Sequence, residues 1–382
     1  MRWSDGLEEP HLSIAGSTHP RIGVLAGPGT GKTKYGLLRR VARLLEEDVP
    51  GERILLVSFT RVAAADLRDK VAELDAPGIE NVRATTLHGY CFGVLMRDAV
   101  LAVTGRVPRI LLPYEVDLML RDVPGGFGNI YDRRRRLEAF VAGWARGLDD
   151  EPGPPVDPED RQSQQAVMAW LREHHAMLIG EVVPEAYRYL ANNPAGEELT
   201  AFDHVIVDEY QDLNTLEQRL LDLLATNGSP CVAGDDDQSI YSVRYANPEG
   251  IVSYMERPEV EGYRIETCGR CPEIILTAAN SLISQAPGRK ARVLKCRDIT
   301  APGSMAMVQW KDPEAEVAGI VAAIAGDIAQ QRREPGEILV LTNWKRPGEQ
   351  IRASLIDAGV AAHSYFVEEE LGSESSCMRE GR

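Results

Sequence analysis

The clearest chemistry in the sequence lies in a glycine-rich stretch near its start, which ends in a lysine and a threonine. Glycines let the backbone turn so that successive N–H groups point inward at a phosphate, and a following helix adds its positive N-terminus. Lys32 would place a cation on the β- and γ-phosphates of a nucleotide, and Thr33 would offer its hydroxyl to Mg²⁺. The stretch has the P-loop spacing of Gly-Lys-Thr after an alanine and four further residues, and it consists of Ala26, Gly27, Pro28, Gly29, Thr30, Gly31, Lys32 and Thr33.

Two further polar groups stand where apolar runs end. Asp208 and Glu209 follow residues 204–207, and Gln238 comes just after the run 230–235. Ligands of open α/β sheets bind at the carboxyl ends of the strands, so these side chains would face the P-loop ligand. Asp208 would hold Mg²⁺, directly or through water, and Glu209 would polarise the attacking water. The amide of Gln238 could sense hydrolysis because it both donates and accepts hydrogen bonds.

Positioning these residues requires strands that alternate with helices. Short, β-rich apolar runs predict buried parallel strands, and apolar residues at helical spacing between the runs predict crossover helices. This alternation after a P-loop indicates an α/β fold with a doubly wound parallel sheet. The predicted strands are residues 22–25, 54–59, 82–86, 204–207 and 230–235.

The rest of the chain divides by pattern. Residues 98–200 lack clear buried strands and carry helical patterns at 133–144 and 164–178, which predicts a mostly helical insertion. From about Tyr263 we expect a second α/β region, with strands at 305–310 and 338–342 around a helix at 313–330. We expect residues 1–20 to be a loose leading segment and residues 368–382 to be disordered.

Bulk composition limits the classes of protein to consider. The 382 residues are 44% hydrophobic and 26% charged, which is ordinary for a globular protein of two or three domains. The sequence shows neither a membrane-length apolar run nor a secretory signal, and its six cysteines do not suggest a disulfide framework. We therefore expect a reduced, cytoplasmic protein without a membrane partner. The net charge of −16 lowers the expectation of nucleic-acid binding without excluding a local positive groove.

Two clusters have both a structural and a functional interpretation. The run 133–136 is four arginines, which favours a solvated helix face over a phosphate-contacting patch. Cys268 and Cys271 form a lone C-x-x-C pair with Cys296 as the only other cysteine nearby, which favours structural cysteines over a zinc site.

Taken together, the motifs resemble those of superfamily 1 DNA helicases of the UvrD/Rep/PcrA type. The hallmark D-E-x-Q-D is matched by residues 208–212. Six motifs in the family's order are far more specific than any one of them. The matching segments are residues 26–33 (motif I), 58–64 (Ia), 86–91 (Ib), 207–212 (II), 234–244 (III) and 266–275 (IV).

The resemblance implies an ATP-dependent 3′-to-5′ DNA translocase or helicase that uses ATP and Mg²⁺. It implies that Tyr241 couples DNA to Gln238 and that Arg270 reaches the γ-phosphate as an arginine finger. It also implies contacts with single-stranded DNA, by stacking and by phosphate or sugar contacts. The residues implied to touch DNA are Phe59, Thr60, Thr86 and His88.

The resemblance also implies a domain organisation. A RecA-like ATP-binding domain would combine residues 1–97 with 201–262, and the helical insertion at 98–200 would be the family's subdomain 1B. Residues 263–382 would form an incomplete second RecA-like domain with a disordered tail.

The sequence departs from the family pattern in three places. Residues 13–20 hold no glutamine of the kind that reads adenine in the family, and Arg61-Val62 replaces the usual Asn-Lys of motif Ia. Motif V and the arginine of motif VI are missing from the sequence.

These departures leave three interpretations. The chain is a helicase or its N-terminal part, a nucleotide- and DNA-binding subunit whose motifs V and VI come from a partner chain, or an inactive truncated fragment. For the isolated chain we expect slow ATP hydrolysis, weak and salt-sensitive binding of single-stranded DNA, and no duplex unwinding.

Overall fold

The computed structural model describes residues 2–74, 76–147, 157–241, 245–286, 292–297 and 302–364. They fall into two compact units, Met1–Ser304 and Met305–Arg382, and each unit has a hydrophobic core of its own. The predicted disordered tail lies outside the described residues, as do Ser242, Val243 and Arg244 at the end of the motif III segment.

A six-stranded parallel sheet organises the first unit, with the strand order β3-β2-β4-β5-β1-β6. All five predicted strands lie in this sheet, so the α/β fold with a parallel sheet is confirmed. Because every strand runs in the same direction, all six carboxyl ends meet at one edge. The strands are β1 (Ile22–Ala26), β2 (Ile54–Ser58), β3 (Arg83–Thr86), β4 (His204–Val207), β5 (Ser229–Gly234) and β6 (Glu261–Ile265).

Helices cover both faces of the sheet. Alternate residues of one strand point to opposite faces, so Leu55 and Val57 join one buried cluster and Leu56 joins the other. The helices of this unit are α1 (His11–Gly16), α2 (Leu38–Glu46), α3 (Arg61–Ala72), α4 (Leu87–Leu95), α5 (Asp98–Thr104), α6 (Pro113–Asp122), α7 (Ile130–Ala145), α8 (Pro158–Glu173), α9 (Val182–Asn192), α10 (Thr215–Leu224), α11 (Glu249–Met255) and α12 (Glu273–Ile283).

The predicted loose leading segment is wrong for residues 11–16, which form α1. Ile14 and Ala15 of this helix are fully buried against the sheet's helices. Its last carbonyls accept hydrogen bonds from two arginines of α2: Arg43 Nε lies 2.8 Å from the Ala15 oxygen, and Arg40 Nη1 lies 2.6 Å from the Ser17 oxygen. This short segment is therefore ordered by the burial of its apolar residues and by hydrogen bonds from buried guanidinium groups.

The helical insertion has its own core. Its described residues form α5 to α9 with short turns, and Met119, Phe140, Trp144 and Leu171, from α6, α7 and α8, are buried together within it. The predicted helix at 133–144 lies inside α7, whereas α8 ends at Glu173 and not at residue 178. Helix α9 packs against α4 on the sheet rather than in this core.

Strand β6 extends the first sheet beyond the position from which a second region was expected. Tyr263 is the register partner of Val24, so the sheet continues to Ile265. A short parallel pair follows, β7 (Thr267–Cys268) with β8 (Lys295–Cys296). The three-part domain division stays a prediction.

The second unit contains α13 (Pro313–Ala329) and α14 (Lys345–Asp357), packed through Ile351, Leu355 and Val360. The predicted helix at 313–330 is confirmed as α13. The predicted strands at 305–310 and 338–342 are wrong, because neither segment pairs with another strand among the described residues. A short apolar run becomes a strand only where a neighbouring strand completes its hydrogen bonds. In the part of the chain that is described, no helix is both long enough and apolar enough to cross a membrane.

Candidate functional site

The P-loop connects β1 to the helical turn Lys32–Leu37, which has π geometry and continues into α2. Gly29 and Gly31 adopt positive φ angles of 67° and 84°, which glycine accepts without strain. Thr30 closes the loop by donating its hydroxyl to the Gly27 carbonyl at 2.7 Å. The loop therefore has the tight turn that was predicted for phosphate binding.

The P-loop lysine and threonine each contact one of the two acids after β4. Lys32 Nζ lies 2.9 Å from Glu209 Oε1, and the Thr33 hydroxyl lies 2.7 Å from Asp208 Oδ2. Glu209 takes a left-handed backbone conformation with φ 56°, and this conformation directs the chain away from the end of β4. The structure therefore brings together four side chains that the sequence predicted to share one site.

Burial and charge shift the protonation of this group. Burial opposes the charge on Lys32, but the carboxylates of Asp208 and Glu209 outweigh it and hold the lysine pKa above its usual value. Burial and the neighbouring Glu209 raise the pKa of Asp208. Mg²⁺ prefers hard oxygen ligands. The Thr33 hydroxyl and the Asp208 carboxylate oxygen, which lie 2.7 Å apart, are of this kind, so these two residues fit the predicted metal ligands.

Arg270 lies beside the P-loop. The N–H of Gly269 donates to the Gly29 carbonyl at 3.0 Å, which fastens the turn after β7 to the loop. A Cβ added to Gly29 would stand 2.6 Å from the Arg270 Cβ and 2.8 Å from the Cys268 sulfur. Glycine is therefore required here for close approach as well as for its φ angle.

The sequence did not predict a series of hydrogen bonds that connects Glu209 to Gln238. Gln211 donates its amide to Glu209 Oε2 at 2.9 Å and accepts the backbone N–H of Asp235 at 2.9 Å. Gln238 donates its amide to Asp235 Oδ2 at 2.5 Å. The predicted sensor therefore joins the Lys32–Glu209 pair through two intermediate residues, and the D-E-x-Q-D spacing was the signal for Gln211.

A second polar feature of the loop was also missed. His11 of α1 contacts the Thr30 carbonyl through Nε2 at 2.8 Å, and its ring meets the Tyr35 ring edge-on at 5.6 Å. Burial lowers the pKa of His11, although the Thr30 carbonyl and two acids oppose this. These rings line a cavity of about 630 Å³ beside Gly29 and Arg270. A lone histidine in a polar segment gave no signal of this position.

The residues predicted to touch DNA gather in a different cleft of about 580 Å³, at the ends of β2 and β3. Phe59 stacks at a tilt on Tyr241 with ring centroids 4.8 Å apart. His88 Nδ1 lies 3.3 Å from Glu217 Oε1 of α10. The predicted residues that line the cleft are Phe59, Thr60, Thr86 and His88.

Thr60 and Thr86 also have a structural role. The Thr60 hydroxyl accepts the N–H of Ala63 and caps α3, and the Thr86 hydroxyl accepts the N–H of Gly89 and caps α4. Capping fixes the first turns of two helices whose N-termini open on the cleft, and such N-termini favour phosphate groups.

The arginine run at 133–136 is held largely within the insertion. Arg133 donates to the carbonyls of Leu120 and Val123, Arg134 pairs with Asp117, and Arg136 pairs with Glu159 at 2.9 Å. These contacts favour the structural interpretation over a phosphate patch. The cysteine pair is close-packed too, with the Cys271 N–H 3.4 Å from the Cys268 sulfur.

Comparison with known proteins relates this geometry to a family. The profile described as AAA domain matches residues 13–244. The ATP-dependent DNA helicase PcrA of Staphylococcus aureus (strain Mu50) is 31% identical over 294 residues, which cover 71% of this chain and 39% of the relative. The protein of the same name in Staphylococcus epidermidis (strain ATCC 12228) has the same identity and coverage. The matched region spans well under half the length of these relatives.

Proposed function

Since the chain belongs to the AAA domain family, with the P-loop and motif order of the UvrD/Rep/PcrA-like superfamily 1 helicases, we propose that it is an ATP-driven 3′-to-5′ DNA translocase or helicase. The observation that carries the proposal is the convergence of Lys32, Glu209 and Arg270 on one loop. Lys32 pairs with Glu209 at 2.9 Å, and Arg270 lies against Gly29. A lysine, an acid and an arginine around a P-loop are the parts that phosphoryl transfer to water requires.

Each side chain then has one task during hydrolysis. Lys32 leaves Glu209 and binds the β- and γ-phosphates, which frees the Glu209 carboxylate to orient water. Thr33 and Asp208 would hold Mg²⁺, which would supply positive charge to neutralise the phosphates. Arg270 stabilises the charge that develops on the γ-phosphate, and Gln238 reports its departure through Asp235.

Single-stranded DNA lies in the cleft at the ends of β2 and β3. The Phe59 and Tyr241 rings offer a stacking surface that tolerates every base, which suits movement along any sequence. Thr60, Thr86 and His88 contact the sugar-phosphate backbone at the two capped helix N-termini. The cytoplasm, where chromosomal DNA is found in bacteria, is the compartment that we propose.

The test is phosphate release from ATP by the purified chain in Mg²⁺, with and without single-stranded oligo(dT). Release that DNA accelerates supports the proposal, provided that Asp208→Asn abolishes it. Asp222→Asn serves as the matched control, because it removes one carboxylate from an ion pair with Arg257 in the same unit. Absence of release from the wild type in both conditions contradicts the enzymatic proposal.

One observation favours the alternative of a subunit that needs more polypeptide. In the second unit the side chains of Met307, Leu339, Leu341 and Trp344 are 75–96% exposed, although they are large and apolar. Exposed apolar groups of this kind pack against further protein. A strand-displacement assay separates the alternatives: displacement that appears only after addition of a second chain with motifs V and VI supports the subunit.

A further inference from the structure

Arg292 is a buried arginine with no role in the site as described so far. It lies between α12 and β8, and its side chain is 4% exposed. Its Nη2 atom contacts three consecutive carboxylates after β5: Asp235, Asp236 at 3.1 Å and Asp237 at 2.7 Å. One guanidinium thus contacts three acids, although Arg292 lies 55 residues after Asp237 in the sequence.

The central member of this cluster belongs to the series of hydrogen bonds that connects Glu209 to Gln238. The Asp235 side chain is fully buried, and it accepts hydrogen bonds from Arg292 and from the amide of Gln238. Its backbone N–H donates to Gln211, which donates in turn to Glu209. A continuous series of contacts therefore runs from Arg292 to the ion pair at the P-loop.

The other end of the series leads to Arg270. Two residues after Arg292, the Leu294 side chain lies so close to Gly27 that a Cβ there would stand 2.3 Å from it. The chain then enters β8, whose Lys295 and Cys296 pair in register with Thr267 and Cys268 of β7. Arg270 is the second residue after β7.

Charge explains why this position requires a cation. Three carboxylates this close repel one another, and a fully buried carboxylate is unstable without a partner. Arg292 supplies the positive charge and links the loop Asp235–Gln238 to the β7–β8 pair. Because the guanidinium keeps its proton even when it is buried, its positive charge persists at this site, whereas a buried lysine ammonium loses its proton more readily.

We propose that Arg292 is a positioning residue for ATP hydrolysis. By joining Asp235 to the β7–β8 pair, it fixes the positions of Gln238, Glu209 and Arg270 relative to one another. The inference rests on the proposed function above. Arg292 itself touches neither nucleotide nor water in this role. Its removal therefore affects the hydrolytic step more than nucleotide binding.

The test compares Arg292→Gln and Arg292→Lys with the wild type in the 382-residue chain. We expect Arg292→Gln to lower the single-turnover rate of ATP hydrolysis at least tenfold while the Kd for Mg²⁺–ATP changes less than threefold. Arg292→Lys keeps the charge and should recover part of the rate. Arg257→Gln breaks an arginine–aspartate pair with Asp222 in the same unit and should leave the hydrolysis rate unchanged.

Hydrogen exchange gives a readout that does not depend on hydrolysis. In Arg292→Gln, amides of the loop Asp235–Gln238 and of β7 and β8 should lose protection together, while β2 and β4 keep theirs. An unchanged exchange pattern, or a rate loss that lysine does not relieve and that follows ATP affinity, overturns the inference. If the wild type hydrolyses nothing but the two segments still lose protection together, the proposed function fails and the structural link stands.

Discussion

The ion pair between Lys32 and Glu209 competes directly with nucleotide, and replacing the acid should reveal this. A phosphate can bind Lys32 fully only if the ammonium leaves the carboxylate that it contacts at 2.9 Å. Glu209→Gln removes the charge, and its amide oxygen can still accept from Lys32, whereas its NH₂ group cannot accept the Gln211 amide as the carboxylate does. We expect the variant to bind ATP more tightly than the wild type and to lose turnover, because Glu209 is the proposed water-orienting base.

The expected gain follows from the geometry. At 2.9 Å and an effective dielectric constant near 20, the Coulomb attraction of the pair is about 6 kcal/mol. Desolvation and side-chain ordering offset most of this for side chains that are 10% and 31% exposed, which leaves about 1–2 kcal/mol. The Kd for ATP should therefore fall roughly 5- to 30-fold.

Titration calorimetry with Mg²⁺–ATP at moderate salt measures this change. Asp222→Asn is the matched control, since it neutralises a carboxylate paired with Arg257 at 2.8 Å and should leave the Kd unaltered. Weaker binding by Glu209→Gln would refute the reasoning, because it would mean that Glu209 supports the bound state rather than competing with it.

Three further predictions concern other parts of the site and fold. Lys32→Ala should raise the Kd for ATP at least tenfold, or about 1.4 kcal/mol, in calorimetry, with Lys70→Ala on α3 as control; equal affinities would contradict the assigned phosphate contact. Phe59→Ala should weaken binding of labelled oligo(dT) about tenfold in fluorescence anisotropy without changing ATP affinity, and an unchanged DNA affinity would remove the stacking role. Burial lowers the pKa of His204 to about 4, so the unfolded chain gains a proton that the folded protein refuses, and stability should fall as pH drops from about 6.5 to about 4. Between these pH values the free energy of unfolding measured in urea should fall by about 1–2 kcal/mol, allowing for partial exposure, and His204→Gln should abolish this fall. The same dependence on pH in the variant would exclude His204 as its origin.

Much of the site was predictable because a parallel sheet gives its strand ends a common edge. The P-loop follows β1 and the acids follow β4, so apolar runs that end in polar residues were enough to predict that Lys32, Thr33, Asp208 and Glu209 would meet. The register confirms this geometry, with Leu25 opposite Gly234 and Val207 opposite Val232.

The features that the sequence did not predict depend on contacts between residues that are far apart in the sequence. Arg292 sits in a basic stretch that resembles a solvated surface, and only the fold shows that it reaches Asp235. Helix α1 is only six residues long, and its order comes from buried Ile14 and from arginines of α2. Residues 305–310 are a nearly continuous apolar run like that of a strand, but they have no strand partner among the described residues. A local sequence pattern cannot show whether such a partner exists.

Helix α1 is anchored to α2, and through His11 it also stabilises the P-loop. A six-residue helix is not stable alone in water, so α1 persists only while its contacts with α2 persist. His11 on this helix holds the Thr30 carbonyl. Opening of α1 therefore releases one side of the phosphate loop, and the two segments share a single local stability. Hydrogen exchange at the amides of α1 therefore reports on the order of the P-loop, and it does so without any ligand bound there.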